Sequence, residues 1–372
     1  MKFMPKGALK RFLSRTRFRS RMRHVAGTLP RNGKPTAILI GFAAWKHFMV
    51  DYLQDHNVVF FGNSPAIDPR SFDAILDFPE PEVFAWSYQF PPELQEFCAA
   101  NGLALTFVED GFLRSVGLGV ERSRPLSLVF DRKAMHFDRA RPSQLEELLQ
   151  SVDLSADTEL LDIAERLQVL IASRGLSKYV LAGTRARIAD LGLSPSREKI
   201  LVLGQVDDDL SIRYGASRPW TSNQLVKFVR DHHPVAEILY RPHPHSLASP
   251  KPHYSKPDEV ASLCHLVGPE FPLHDCIAVA DSVYTITSLA GFEAAVHGKH
   301  VITMGSPFYS GWGFTEDRDP VSRRTRNRTA TEVLAIAYGI YPRYFDPVTG
   351  ERIGLGKALD QFLHSARDLL TR

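Results

Sequence analysis

From residue 36 onward, short and nearly uninterrupted apolar runs alternate with stretches whose apolar residues recur every three or four positions. TAILIGF at 36–42 reads as a strand, and AAWKHFMVDYLQ at 43–54 as the helix after it. NVVFF, EVFAWSY and LALTFVEDGF read as further strands. PPELQEFCAANG reads as a helix with Pro near its start and Gly at its end. PSQLEELLQ and DTELLDIAERLQVLIASRG are helical, the second closing on Gly175. After the polar linker around GLSPSREK the alternation restarts. ILVLG, EILYRP, DSVYTIT and HVITMG are strands, and NQLVKFVRDH, PLHDCIAVA and SLAGFEAAVHG are the helices among them.

Two successive sets of βα units imply an α/β chain with two Rossmann-like domains facing each other across a cleft. The expected division is a basic N-terminal leader at 1–30, an N-terminal, acceptor-side domain at 31–190 and a second Rossmann-like domain at 191–330. The final segment, 331–372, carries the helices TATEVLAIAYGIY and KALDQFLHSARDLL, which would close the structure. At 372 residues there is chain enough for two ordinary cores.

Charge changes this picture at one end only. The net charge of +3 conceals twelve Lys and Arg before Asp51 with no Asp or Glu among them, which leaves 33 basic against 42 acidic residues in the remainder. The opening MKFMPKGALKRFLSRTRFRSRMRHV interleaves basic residues with Phe, Leu and Met, without the continuous apolar core of a signal peptide. No segment approaches the roughly 20 apolar residues that cross a bilayer. The expectation is a cytoplasmic protein whose leader touches an anionic membrane surface at the inner face of the cytoplasmic membrane, each basic residue contributing about 1 kcal/mol. A solvated basic leader is the structural alternative. Nucleic acid is not expected as a partner, because stacking aromatics and a known module are lacking. Cys98, Cys264 and Cys276 have no paired spacing, and Cys264, His265, His274 and Cys276 match no metal motif, so no metal site is expected.

Ligands in open α/β sheets sit beyond the carboxyl ends of the strands. Four polar clusters stand where strands stop: EDG after LALTFV, QVDDD after ILVLG, RPHPHS after EILY, and TSLAG after SVYTI. In the first, Glu109 and Asp110 are adjacent carboxylates, a pairing that raises one pKa toward acid/base use, and Arg114 follows. An acidic turn is the alternative. His243, held between Pro242 and Pro244, suits a phosphate oxygen or a leaving group, whereas a lone histidine elsewhere is usually structural. Thr287 and Ser288 precede a helix N-terminus, a seat for phosphate that uses the same geometry as ordinary capping, and Glu293 follows one turn later. The Gly- and aromatic-rich GSPFYSGWGFTED at 305–317 could shape a sugar pocket or pack internally. Asp207, Asp208 and Asp209 follow Gln205 and admit a metal site, a base, a nucleophile or a solvated loop; an extended backbone would put Asp207 and Asp209 on one side.

EDGFLRSVGLG, PLSLVFD, RPSQLEELL, LSKY, GQVDDDLSI, RPHPHS, TSLAGFEAAVHGKHV and PFYSGWGFTED, in this order, resemble the capsule polysaccharide biosynthesis family, which contains retaining β-Kdo (3-deoxy-D-manno-oct-2-ulosonic acid) glycosyltransferases. The resemblance spans about residues 100 to 345 and is strongest to the second catalytic module of the bimodular capsule enzymes. It implies a GT-B-like fold, CMP-Kdo as donor, no metal or other cofactor, and double displacement through a sugar adduct on an Asp. The family's nucleophile precedes a hydrophobic–Ser–hydrophobic triplet, which falls on Asp209 before LSI, with Asp208 next in line. Glu109 or Asp110 becomes the acid/base. On the donor side the carry-over falls on His243, Pro244, Thr287, Ser288 and Glu293, together with Gln205, Arg114 and Lys178 of LSKY. His243 is followed by Pro244-His245-Ser246 where relatives often carry an Asp. The region before residue 100 matches poorly, and recognition of a glycolipid or oligosaccharide acceptor is expected there.

A CMP leaving group carries charge that a histidine and a helix N-terminus can stabilise, and an Asp nucleophile divides a hindered substitution at a ketose carbon into two steps. Two other readings compete: a sialyltransferase-like enzyme using another CMP-nonulosonate, and a non-catalytic polysaccharide-binding or export component indifferent to the loss of Asp209. Acceptor and linkage are not written in the motifs.

Overall fold

The computed structural model describes residues 18–62, 67–116, 123–174, 179–180, 186–248 and 254–370. The chain divides into two compact units: 1–111 with 120–133 and 343–354, and 112–119 with 134–342 and 355–372.

The first unit is built on a seven-stranded sheet. Thr36–Ile40 lies between Asn57–Gly62 and Pro81–Trp86, and Leu105–Asp110 adds on beside Pro81–Trp86, all parallel. Ser127–Asp131 then pairs antiparallel with Leu105–Asp110, so a strand that sequence showed only as the motif PLSLVFD turns the sheet from parallel to mixed. Pro342–Phe345 and Arg352–Ile353 return late in the chain to complete the edge. On one face Ala37, Leu39, Phe84, Trp86, Val108, Leu128, Phe130 and Phe345 pack against Phe48, Met49 and Tyr52. The helix expected at 43–54 forms as a 3-10 segment, Ala44–Phe48, followed by one α turn, Met49–Tyr52, with a break at Lys46 (φ −80°, ψ 26°). Three bulky aromatic side chains in four positions, Trp45, His47 and Phe48, lower its helix propensity.

A helix at 18–28 belongs to this unit. Phe18 meets Phe61 edge to face at 5.1 Å, Met22 is buried, and Arg19 and Arg23 reach Asp73 and Asp77 at 3.7 and 3.0 Å. The four-residue spacing of Arg19 and Arg23 puts both on one face of the helix, and that face meets the 3-10 segment Pro69–Asp77. Residues 1–17 of the expected leader lie outside the described residues.

The second unit has six parallel strands in the order His265–Leu266, Glu237–Arg241, Lys199–Leu203, Ser282–Thr285, His300–Thr303, Glu316–Asp317. Numbered from Lys199–Leu203 this is the doubly wound order 3-2-1-4-5-6. Side chains alternate between two cores: Ile200, Val202, Tyr240, Tyr284 and Ile302 pack on Leu225, Val226 and Val229, while Leu201, Leu203, Leu239, Val283 and Val301 pack on Ile277 and Ala294. Burial on both faces explains why these strands read as continuous apolar runs. Residues 134–190 group with this unit, not with the sheet that precedes them, where the sequence alternation placed a boundary at 190/191. The reason is packing: helix Thr158–Arg174 lies against Leu289–Val296, Ala330–Leu334 and Ala335–Ile340.

Glu146, on helix Gln144–Ser151, is the anion for two arginines of the RRTRNR run. Arg323 and Arg324 both bond its carboxylate, Arg324 at 3.0 Å. Arg324 is buried and also donates to the carbonyl oxygens of Pro307 and Ser310 at 2.6 and 2.9 Å, holding the 305–314 loop. Burial pulls its pKa below the ordinary arginine value, and the Glu146 charge opposes that. Removing one partner of a buried pair costs about 3–5 kcal/mol, so Glu146→Ala should lower the urea midpoint accordingly, monitored by fluorescence of the full chain, whereas Glu147→Ala should barely move it.

Candidate functional site

In the six-stranded sheet Leu203 sits opposite Thr285. The strand order reverses between these two strands, so the crevice beyond their carboxyl ends is the fold's usual ligand position. Gln205 and Thr287 each follow their strand by two residues and meet there. The Gln205 Nε2 donates to Thr287 Oγ1 at 3.0 Å and to Ser211 Oγ at 2.6 Å, and Thr287 N–H donates to Gln205 Oε1 at 3.2 Å. Ser211 Oγ and Thr287 Oγ1 lie 3.0 Å apart. Gln205 and Thr287 are buried. Glycine lines this node because side chains would not fit. A Cβ on Gly305 would stand 2.7 Å from Thr287 Cγ2.

The three consecutive aspartates lie in a turn, not on the extended backbone that would set Asp207 and Asp209 on one side. Asp207 accepts from the amides of Ser222 and Ser255 at 2.9 and 2.5 Å, one per oxygen, and so ties two loops together. Asp208 accepts from the Tyr254 hydroxyl at 2.6 Å. Asp209 caps helix Leu210–Gly215, its Oδ1 accepting from Ser211 N–H at 2.8 Å. The repulsion within the run is met by dispersing the carboxylates to three separate sets of donors. Asp209 Oδ2 has no hydrogen-bond partner among the described residues, and Ser211 joins the Asp209 cap to the Gln205–Thr287 node. Ser211, Ser222, Tyr254 and Ser255 had no role in the sequence reading, although Ser211 stands in the quoted LSI triplet.

His243 is half-buried at the end of Glu237–Arg241, its Nδ1 3.1 Å from the His245 amide, and Pro244 opens the short helix Pro244–Ala248. Arg241 is spent on the carbonyls of Gly268 and Phe271 at 2.9 and 2.5 Å, and so braces this loop. Gly204 lets the two strand ends approach, since a Cβ there would meet Arg241 O at 2.9 Å. Ser288 caps helix Leu289–Val296 through Ala290 N–H at 3.3 Å. Glu293 is buried in that helix. The Tyr309 hydroxyl donates to Ser288 O at 2.6 Å, and burial, Asp317 and Glu293 push its pKa well up. Arg114 is fully buried in this unit, and Lys178 lies outside the described residues.

In the first unit Glu109 and Asp110 close the strand Leu105–Asp110, opposite Val129 and Leu128. Strand alternation sends their side chains to opposite faces, so adjacency in sequence does not place the two carboxylates together. Gly111 donates to Ser127 O at 2.9 Å, and a Cβ there would fall 2.1 Å from Ser127 Oγ. On the neighbouring strand end, Ser87 is buried with φ +48° and its Oγ makes no hydrogen bond among the described residues. No sequence signal marks that strained serine.

Among the described residues no group of three His, Cys, Asp or Glu is arranged for a metal ion. Cys264 and Cys276 are raised to about 11 by burial, while His265 bonds Glu237 at 2.8 Å and His274 bonds Asp275 at 2.9 Å.

Residues 83–345 match the family described as capsule polysaccharide biosynthesis protein. The lipopolysaccharide-processing protein LpsZ of Rhizobium meliloti is 37% identical over 84% of this chain and 70% of its own length. The capsule polysaccharide modification protein LipA of Neisseria meningitidis is 36% identical over 73% of this chain, which spans 38% of that relative. Among solved structures, the β-Kdo 2,4-transferase of Thermosulfurimonas dismutans KpsC superposes with a TM-score of 0.70 at 31% identity, covering 90% of this chain and 99% of that one. Its β-Kdo 2,7-transferase gives 0.69 at 28% identity, covering 88% and 99%. With its α/β, GT-B-like fold, the chain belongs to the capsule polysaccharide biosynthesis protein family and is a glycosyltransferase.

Proposed function

We propose that this enzyme transfers β-Kdo from CMP-Kdo to a surface-glycan acceptor, with retention, through a covalent adduct on Asp209. The observation that carries the reading is the position of Asp209 and of the Gln205–Ser211–Thr287 node at the reversal point of the six-stranded sheet. The likeness to the two β-Kdo transferases of KpsC supports Kdo as the sugar.

In the first step Asp209 Oδ2 bonds to the anomeric carbon of Kdo while the carbon–phosphate oxygen bond breaks and CMP leaves. The capping bond from Ser211 N–H fixes the carboxylate in place and leaves the other oxygen to attack. CMP is a good leaving group, with His243 and the polar end of helix Leu289–Val296 as the groups assigned to its phosphate. In the second step an acceptor hydroxyl replaces Asp209 and its proton passes to Glu109 or Asp110. Only this step needs a base. No other cofactor is assigned.

Intact-protein mass spectrometry after mixing with CMP-Kdo, acceptor omitted, should show the gain of one Kdo residue on the wild type and none on Asp209→Ala. A gain retained in that variant would move the nucleophile to Asp208. Absence of both adduct and CMP release from folded wild type would remove the reading. Asp207→Asn should reduce stability instead, by about 1–3 kcal/mol for a lost charge-assisted bond.

General-base loss costs roughly 10²–10⁴-fold. One of Glu109→Gln and Asp110→Asn should therefore slow transfer by that factor while the adduct accumulates in the presence of acceptor. Equal small effects in both would shift the base elsewhere.

The leader is assigned to an anionic membrane surface. Among the described residues no helix is long and apolar enough to cross a membrane. On helix 18–28, Arg19 and Arg23 are engaged by Asp73 and Asp77, so within the helix the membrane contact is assigned to Arg21, together with the basic residues of 1–17. Vesicles containing phosphatidylglycerol should cosediment the full chain at low salt and release it at about 0.5 M salt, and removal of residues 1–17 should abolish binding.

A further inference from the structure

The first unit contains a cavity of about 260 Å³ whose lining includes Tyr52, Gln54, Asp55, Arg343, Phe345 and Arg352. Its place in the sheet separates it from the candidate acid/base. Gln54 and Asp55 precede Asn57–Gly62 and so stand at the amino ends of the parallel strands, whereas Glu109 and Asp110 stand at a carboxyl end.

The charges on its rim do not balance. Arg343 stacks over the Phe130 ring at 4.4 Å, and neither its guanidinium nor that of Arg352 forms a side-chain hydrogen bond or ion pair among the described residues. Asp55, the carboxylate in the lining, is engaged by His56 at 2.7 Å. Desolvation draws the Arg343 pKa below its ordinary value, and the charges of Arg352 and Arg132 draw it further, with Asp55 opposing. Arg343 and Arg352 are exposed at the rim, and their two charges outnumber that of Asp55, which favours an anion. The floor is apolar: Tyr52 and Phe345 are buried and stacked at 4.3 Å. The volume falls just below the usual range of ligand pockets, about 300–1,000 Å³, and suits a single sugar ring better than an oligosaccharide.

We propose that this cavity binds one carboxylate-bearing sugar residue of the acceptor glycan, with Arg343 and Arg352 on the carboxylate and Gln54 on a hydroxyl. The assignment of the sugar to the acceptor rests on the function proposed above; the anion site itself rests on the cavity. Concavity and an apolar floor distinguish it from the open basic surface that a bilayer selects. Held there, the acceptor would be retained by a second contact remote from the reacting hydroxyl, raising its effective concentration.

The test uses the full chain with methyl β-D-glucuronide as probe, methyl β-D-glucoside as its uncharged counterpart, and inorganic phosphate, each titrated by ligand-observed NMR. The glucuronide should bind, with the glucoside and phosphate weaker by roughly tenfold or more. The R343Q/R352Q variant should lose the difference between glucuronide and glucoside, while CMP release from CMP-Kdo and the thermal midpoint stay at wild-type values. Glucuronide binding unchanged in R343Q/R352Q, or equal binding of both glycosides by the wild type, would overturn the proposal. Phosphate binding as tightly as glucuronide would reduce the cavity to a simple anion site and overturn the sugar assignment. Phosphatidylglycerol vesicles retained through these two arginines without any glucuronide binding would transfer it to the lipid and overturn it as well. Because CMP release is read separately, a chain that binds glucuronide through Arg343 and Arg352 but does not consume CMP-Kdo would keep this site and remove the donor assignment.

Discussion

In the six-stranded sheet the pairing of Leu203 with Thr285 fixes where the chemistry can sit. Those strands belong to different βα units, and helices leave them in opposite directions, so the space beyond their ends is not filled by a crossover. Gln205 occupies it with one amide group that both donates to and accepts from Thr287. A buried amide left without partners costs about 1–3 kcal/mol, so the two loops hold one another in register. Ser211 extends that link to the helix that Asp209 caps. The nucleophile assigned here is thus positioned by the sheet through two hydrogen-bonded steps.

The aspartate run shows how one local sequence can divide its labour. A chain segment with three consecutive carboxylates is stable only where each finds donors, and here the donors come from three places: loop amides at Ser222 and Ser255, the Tyr254 hydroxyl, and the helix start at Ser211. Asp207 uses both oxygens in this and becomes a brace. Asp209 uses one. Arginine divides in the same way: Arg241 and Arg324 are consumed by carbonyl groups that hold loops, whereas Arg343 and Arg352 form no side-chain hydrogen bond or ion pair among the described residues.

The two units differ in how far their sheets depend on distant chain. The second is continuous in its strands and doubly wound, whereas the first is completed by strands at 342–345 and 352–353, more than 200 residues after Ser127–Asp131. That late return places Phe345 in the first core and Arg343 and Arg352 beside Asp55. The anion cavity therefore exists only because a segment from the end of the chain joins a sheet begun near its start.

Apolar runs such as 36–42, 82–88 and 200–204 and the amphipathic stretches among them specify the central strands of both sheets, most helices and the α/β class, because burial on two faces or one leaves a direct periodic trace, whereas the short edge strands such as 265–266, 316–317 and 352–353 leave none. The motif order likewise placed Asp209, His243 and Thr287 at strand ends. Sequence did not reveal that Asp207–Asp209 form a turn with donors from three places, that Ser127–Asp131 runs antiparallel, or that 134–190 packs with the second unit. Each depends on which partner a segment meets far along the chain, and pairing direction, hydrogen-bond donors and helix contacts leave no periodicity in the segment itself. Residue types and their spacing determined which groups could react; tertiary pairing decided which of them were free to.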